Sequence, residues 1–185
     1  MVISKGEPVQ LYYLWAAVLI AYLAGRFVEW RIHRWNYRNL SAAGAEELIP
    51  ELMRRYYQLT ILIVPVALLE QLIWHQPVFW EMLVTGIFMI VTGHVLRFWA
   101  IHSLGGLWSM RCLSLDGAQP CRRGPYRIVK NPEYFSRVLD ALGIGLVIGA
   151  RLSTLVYLAL LVILAHRIQS VERRQLREFA STLPR

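Results

Sequence analysis

The chain has 185 residues, of which 56% are hydrophobic, and its mean hydropathy is +0.41. Soluble domains run nearer to roughly 45–50% apolar residues. Lysine and arginine number 20 against 12 aspartates and glutamates, yet so apolar a chain is no nucleic-acid binder, and the excess reads as the charge bias that orients membrane spans. Cys112 and Cys121 make no disulfide framework. No histidine or cysteine set has metal-ligand spacing, so no metal is expected.

The first apolar run, 11–28, approaches the roughly 20 residues that cross a bilayer. No small-residue cleavage site follows it, so it reads as a retained span. Residues 36–51 hold Glu46, Glu47 and Glu51 with Gly44 and Pro50 as breakers. They are predicted to form a loop with a short amphipathic helix at the interface. Spans are predicted at 56–74 and 78–102, joined by the turn His75-Gln76-Pro77, which makes them antiparallel neighbours. A polar loop occupies 103–137. Two shorter spans follow at 134–150 and 152–168, with the hairpin Gly149-Ala150-Arg151 between them. The tail, 167–185, is charged and helical in pattern.

This is a single domain over 1–185, all-α, with about five transmembrane helices. Eighteen of the cations fall in or beside the two polar loops and the tail, and only Lys5 and Arg151 fall on the other side. That asymmetry places the N-terminus outside and the C-terminus in the cytosol. The cysteines then flank a cytosolic loop, where thiols stay reduced.

Five ionisable groups sit within or near spans: Glu29, Glu70, His94, Arg97 and Asp140. Such groups either face a cavity or one another, or lie at the interface and reach water along their stems. Asp140 has Arg137 one helical turn away. Glu70 lies about a turn from the outer end of its span, where it is expected to be wet. His94 reads as a packing residue.

The densest polar run is Gly124-Pro125-Tyr126-Arg127-Ile128-Val129-Lys130-Asn131-Pro132-Glu133-Tyr134. Pro125 and Pro132 each remove a backbone donor and restrict the preceding residue, so no continuous helix crosses it. Backbone groups freed at membrane depth need protein, a cavity or a ligand. A ligand with adenine-like edges meets that need, and Tyr126 and Tyr134 offer flat faces for stacking or for a cation. An ordinary basic surface loop fits the same residues. In the tail, Arg167 and Glu172 suit a bidentate contact to an anionic oxygen and acceptance from a hydroxyl or ammonium. A solvated charged helix is the other reading.

The run resembles the GPYRxxRHPxY signature of the isoprenylcysteine carboxyl methyltransferase family. Arg97-x-Trp99 with Leu104-Gly105-x2-Trp108 is similar to the segment preceding that signature in small bacterial members, as are Arg26-x2-Glu29 and Arg34-x-Asn36. Arg167 and Glu172 resemble the family's C-terminal cluster. The resemblance implies an inner-membrane S-adenosylmethionine-dependent O-methyltransferase with a cytosol-facing cofactor pocket and a short charged C-terminal helix. Its acceptor would be a lipophilic small molecule or a prenylated one, methylated on the carboxylate or hydroxyl of a prenyl lipid or of a polyketide lipid such as an alkylpyrone, as in the small bacterial members, with membrane lipids as further partners. The cofactor would be held by Tyr126, Arg127, Val129, Lys130, Asn131, Pro132, Tyr134 and Glu172. Arg167 and Glu172 would be catalytic, and Arg97, Trp108 and Asp140 would meet the substrate. Phospholipid N-methylation and a non-catalytic lipid-binding member are the alternatives. Four features depart from the pattern: Asn131 replaces a histidine, Lys130 an arginine, Val171 a second carboxylate, and Phe135-Ser136-Arg137 stands where a small residue often follows the last tyrosine. A carboxamide still donates and accepts hydrogen bonds but moves no proton.

Overall fold

The computed structural model describes residues 8–111, 113–114, 122–129 and 131–182, and their side chains except at 8–12, 114, 172–173 and 175–182. Five helices carry nearly all of it: α1 (Pro8–Ala42), α2 (Pro50–Trp74), α3 (Trp80–Leu104), α4 (Pro132–Ile148) and α5 (Arg151–Thr182). Two-residue strands, β1 (Glu46–Glu47) and β2 (Leu113–Ser114), pair antiparallel beside them. Among the described residues, three segments are long and apolar enough to cross a membrane: 50–74, 80–107 and 151–171. Their outward faces carry exposed Ile61, Leu62, Leu69, Phe88, Val95, Leu155 and Val162. An apolar girdle of this kind is what lipid solvates.

Local chemistry sets the breaks. Pro50 begins α2 at a position where a missing N–H is harmless. His75 closes that helix in the left-handed conformation at φ 46°, and its N–H bonds the Gln71 carbonyl at 2.9 Å. The Gln71 side chain then donates to the Gln76 carbonyl at 2.9 Å, fixing the turn into α3.

The closest pairing in the bundle is α3 against α4, and glycines allow it. A Cβ on Gly86 would lie 2.7 Å from the Gly143 carbonyl, and one on Gly143 2.6 Å from the Gly86 carbonyl. Small residues let helix backbones meet in this way. Ile90, Ala141, Ile144, Val147 and Ile148 fill the seam, while Tyr56, Ile63 and Ala67 of α2 and Tyr157, Leu161 and Ile168 of α5 complete the core.

Glu70 differs from expectation. It is buried, and it accepts from the backbone N–H groups of Leu152 at 2.9 Å and Ser153 at 2.6 Å, and also from the Ser153 hydroxyl. A carboxylate brought from another helix thus satisfies donors that the start of α5 leaves unpaired.

Two expected boundaries also move. The predicted loop over 36–51 starts later, because α1 continues to Ala42. Its inward positions Trp15, Tyr22, Glu29 and Asn36 recur every seven residues and are all buried. Half of that seam is polar, so it carries no hydrophobic periodicity. Trp15 Nε1 donates to the Val147 carbonyl at 2.7 Å. Asn36 donates to the carbonyls of Gly105 at 3.0 Å and Trp108 at 2.8 Å. His33 Nδ1 accepts the Met110 N–H at 3.2 Å. At the other end, the tail is no separate helix: α5 continues through it to Thr182.

Candidate functional site

The signature run folds as two short pieces. Gly124–Arg127 makes a 3₁₀ turn, with the N–H groups of Ile128 and Val129 bonded to the Pro125 carbonyl at 3.0 and 2.9 Å. Gly124 sits at φ 56°, and a Cβ there would run into Ser103 of α3 and lie 3.1 Å from Trp99 Nε1. Both the backbone angle and the close approach therefore demand glycine. Pro132 then opens α4, and Asn131 just ahead of it is exposed, its carboxamide making no capping bond.

Two recesses flank Asn131. The inner one, about 140 Å³, is lined by Met53, Tyr56, Tyr57, Arg111, Tyr126, Asn131, Pro132, Glu133, Tyr134 and Ile168. The outer one is a groove of about 480 Å³ between α4 and α5, lined by Val129, Asn131, Tyr134, Phe135, Val138, Leu161, Val162, Ala165, His166 and Gln169. Asn131 and Tyr134 belong to both. The inner wall is aromatic: the Tyr56 ring meets those of Tyr57 and Tyr134 edge-on, with centroids at 5.3 and 5.5 Å. The Tyr57 hydroxyl donates to Glu133 Oε1 at 3.0 Å. The Tyr56 hydroxyl is buried and makes no hydrogen bond. A buried hydroxyl beside a cavity, with its bonding capacity unused, marks a place for a polar ligand atom.

Behind this wall lies a cluster of buried charges. Arg97 of α3 bonds Glu29 of α1 at 3.0 Å, Asp140 of α4 at 2.5 Å and the Ser136 hydroxyl at 3.0 Å. Arg26 also pairs with Glu29. Arg137 bonds Glu133 at 3.1 Å, lies 3.7 Å from Glu29, and stacks over the Tyr57 ring at 5.3 Å. His94 Nδ1 donates to the Ile90 carbonyl at 3.0 Å and lies 3.3 Å from Asp140. Glu29, Arg97, Arg137 and Asp140 are each at most 2% exposed. Charges so far from water persist only when paired and hydrogen-bonded, and here each has a partner of opposite sign. Glu133 joins the two regions, since it lines the inner recess and holds Arg137.

The expected site residues separate accordingly. Tyr126, Asn131, Pro132 and Tyr134 line the inner recess, and Val129 joins Asn131 and Tyr134 at the groove side. Arg127 is exposed on the 3₁₀ turn. Arg167 is exposed on α5 between His166, which lines the groove, and Ile168, which lines the recess. Lys130 and the Glu172 side chain lie outside the described residues. Arg97 and Asp140 belong to the buried cluster and line neither recess. Asp140 pairs with Arg97, not with Arg137. Trp108 is buried against Ile101 and Met110.

Tyr56, Tyr57 and Glu133 line the inner recess, and the sequence reading did not single them out. The available signals were weak: adjacent tyrosines at the start of a predicted span, and a carboxylate in a variable signature position four residues before Arg137.

A protein-family model described as the isoprenylcysteine carboxyl methyltransferase family matches residues 84–178, just over half of the chain. That stretch contains most of α3, the signature, α4 and most of α5. The chain is 28% identical over 141 residues to uncharacterized protein YpbQ of Bacillus subtilis (strain 168), covering 76% of this chain and 81% of that one. No solved structure matches.

Proposed function

This chain belongs to the isoprenylcysteine carboxyl methyltransferase family of membrane methyltransferases, and we propose that it is an S-adenosylmethionine-dependent O-methyltransferase acting on a lipophilic acceptor at the bilayer. The observation that carries the reading is the pair of recesses sharing Asn131 and Tyr134. The groove's volume of about 480 Å³ lies in the range of small-molecule sites, roughly 300–1,000 Å³. The smaller recess adds a carboxylate, a carboxamide, an unused hydroxyl and aromatic faces.

These groups fit a cofactor that carries an ammonium, hydroxyls and a positively charged sulfur. When bound, it supplies an electrophilic methyl group. Glu133, held by Tyr57 and Arg137, presents a fixed negative charge for the ammonium. Tyr126 and Tyr134 offer ring faces, and Asn131 orients the ligand by hydrogen bonds from the junction of the two recesses. We also assign Arg127, Val129, Lys130, Pro132 and Glu172 to cofactor binding. Arg167, beside the groove on α5, positions the acceptor oxygen together with Glu172. For an acceptor that is already an anion, alignment and exclusion of water supply most of the rate, so a proton-moving histidine at position 131 is dispensable. The apolar flank of the groove, Phe135, Val138, Leu161 and Val162, gives a lipid tail a path from the bilayer. In this reading five helices cross the membrane, with the C-terminus and the signature in the cytosol.

Calorimetric titration of the purified, folded chain with S-adenosylmethionine tests the proposal, and an absence of binding would sink it. Transfer of labelled methyl into extracted lipid identifies the product. A methyl ester or ether supports O-methylation, whereas methylated phosphatidylethanolamine would move the assignment to nitrogen.

A further inference from the structure

The face of α1 turned away from the bundle is graded along its length. Tyr13, Ile20, Leu23 and Phe27 are exposed and apolar, and Trp30 and Trp35 follow at 44% and 70% exposure. Beyond and between the tryptophans stand Arg31, Arg34 and Arg38, also exposed. At about 100° per residue, all of these fall within an arc of roughly 140°. The buried seam of Trp15, Tyr22, Glu29 and Asn36 lies on the opposite side.

Phe27 stacks on Trp30 with centroids at 5.8 Å, and the Arg34 guanidinium covers the Trp30 ring at 5.3 Å. Together Trp30, Arg31, Arg34, Trp35 and Arg38 line a recess of about 310 Å³.

The three arginines have no carboxylate partner among the described residues, a state that Arg55, Arg127 and Arg151 share singly but that here is concentrated on one helix face. Arg26, on the inward side of the same helix, pairs with Glu29; Arg54 pairs with Glu51, and Arg111 with Glu47. Among the described residues, no carboxylate lies within ion-pair distance of Arg31, Arg34 or Arg38. They span about 10 Å along the axis at 1.5 Å per residue. That matches a headgroup layer of roughly 5–8 Å plus the reach of arginine stems. Apolar residues, then tryptophan, then arginine is also the order met on passing from hydrocarbon through the interface into the headgroups.

We propose that this stripe docks an anionic phospholipid. Arg31, Arg34 and Arg38 bind its phosphate, and Trp30 and Trp35 lie along the glycerol and upper acyl chain. The inference rests on α1 crossing the bilayer and not on cofactor binding, so it stands or falls apart from the catalytic assignment.

The test is native mass spectrometry of the full chain in mixed micelles with equal phosphatidylglycerol and phosphatidylcholine. Retained phosphatidylglycerol should exceed phosphatidylcholine by about tenfold or more. Arg31→Gln/Arg34→Gln/Arg38→Gln should bring the ratio close to one. Arg54→Gln, at an exposed arginine that already has a partner, should leave it unchanged, and Trp35→Ala should lower total lipid retention while keeping the preference. The proposal is overturned if the wild type shows no preference or if the triple variant keeps it. Displacement of the lipid by equimolar glycerol 3-phosphate would reassign the site to soluble phosphates, and loss of a dimer in the triple variant would reassign it to a second copy; either overturns the proposal. Should the triple variant not fold, a salt series on the wild type decides: the preference must fall as ionic strength rises.

Discussion

Arg97 and Asn131 stand on neighbouring elements at the same end of the helices, and their surroundings could hardly differ more. Arg97 spends its donors on Glu29, Asp140 and Ser136 and is 1% exposed. Asn131 is exposed, uses no side-chain bond to cap its own helix, and faces two recesses. The charged cluster ties α1, α3 and α4 together through ion pairs among its own groups, although Arg137 Nε and Nη1, Asp140 Oδ1 and His94 Nε2 make no hydrogen bond. The signature region keeps hydrogen-bonding capacity in reserve, at Asn131 and at the buried Tyr56 hydroxyl. Polarity within a membrane protein therefore serves two ends, and the setting separates them: opposite charges paired away from the recesses fix structure, whereas unused capacity that lines a recess receives a ligand.

The largest expected effect tests the first half of that contrast. Arg97→Met leaves Glu29 and Asp140 buried without their cation and should cost about 3–5 kcal/mol of stability, read as a large fall in the thermal midpoint in detergent. If the midpoint holds and only ligand binding suffers, Arg97 belongs with the recess and the contrast fails. Gly143→Val is next. Its added atoms meet backbone of α3, and overpacking should cost about 1–3 kcal/mol, again in the unfolding midpoint. No change there would mean that α3 and α4 are less closely held than their glycines indicate.

Asn131→Ala tests the other half. The melting midpoint should stay in place while S-adenosylmethionine binding weakens by about tenfold, the worth of one good hydrogen bond. A fall in stability without a change in binding would make Asn131 a structural residue.

The smallest effect concerns pH. Burial, and then the Arg111 charge, hold the His33 imidazole below its usual value of 6.5, and its Nδ1 accepts the Met110 N–H. The fold therefore favours the neutral ring. Its contribution is complete above about pH 6.5 and is lost as pH falls through the lowered folded value. Melting curves between pH 7.5 and pH 5 should show this slope in the wild type and not in His33→Ala.

Much of the architecture was legible in the chain. Long apolar runs placed both ends of α3, the end of α2 and the start of α5 within about two residues, because a helix in lipid needs only length and hydrophobicity, whereas the start of α2 and the charged extension of α5 to Thr182 lay outside those runs. The break before α4 was legible from Pro125 and Pro132. The inward seam of α1 was not, since Trp15, Tyr22, Glu29 and Asn36 mix apolar and polar side chains and produce no hydrophobic period. The role of Glu70 was equally hidden, because its partners, Leu152 and Ser153, lie on another helix.

The sequence by itself determined the helical class, three membrane-span candidates and the interrupted signature, which follow from local backbone rules and the apolar content of contiguous segments, and its motifs carried the family. Only the tertiary structure decided which charges neutralise which. It joined Arg97 to Glu29 and Asp140, and it brought Tyr56 and Tyr57 of α2 to face Glu133 and Tyr134 of α4. Coulomb attraction and hydrogen bonding act between atoms a few ångströms apart, whatever their separation along the chain, so those pairings exist only once the helices have packed.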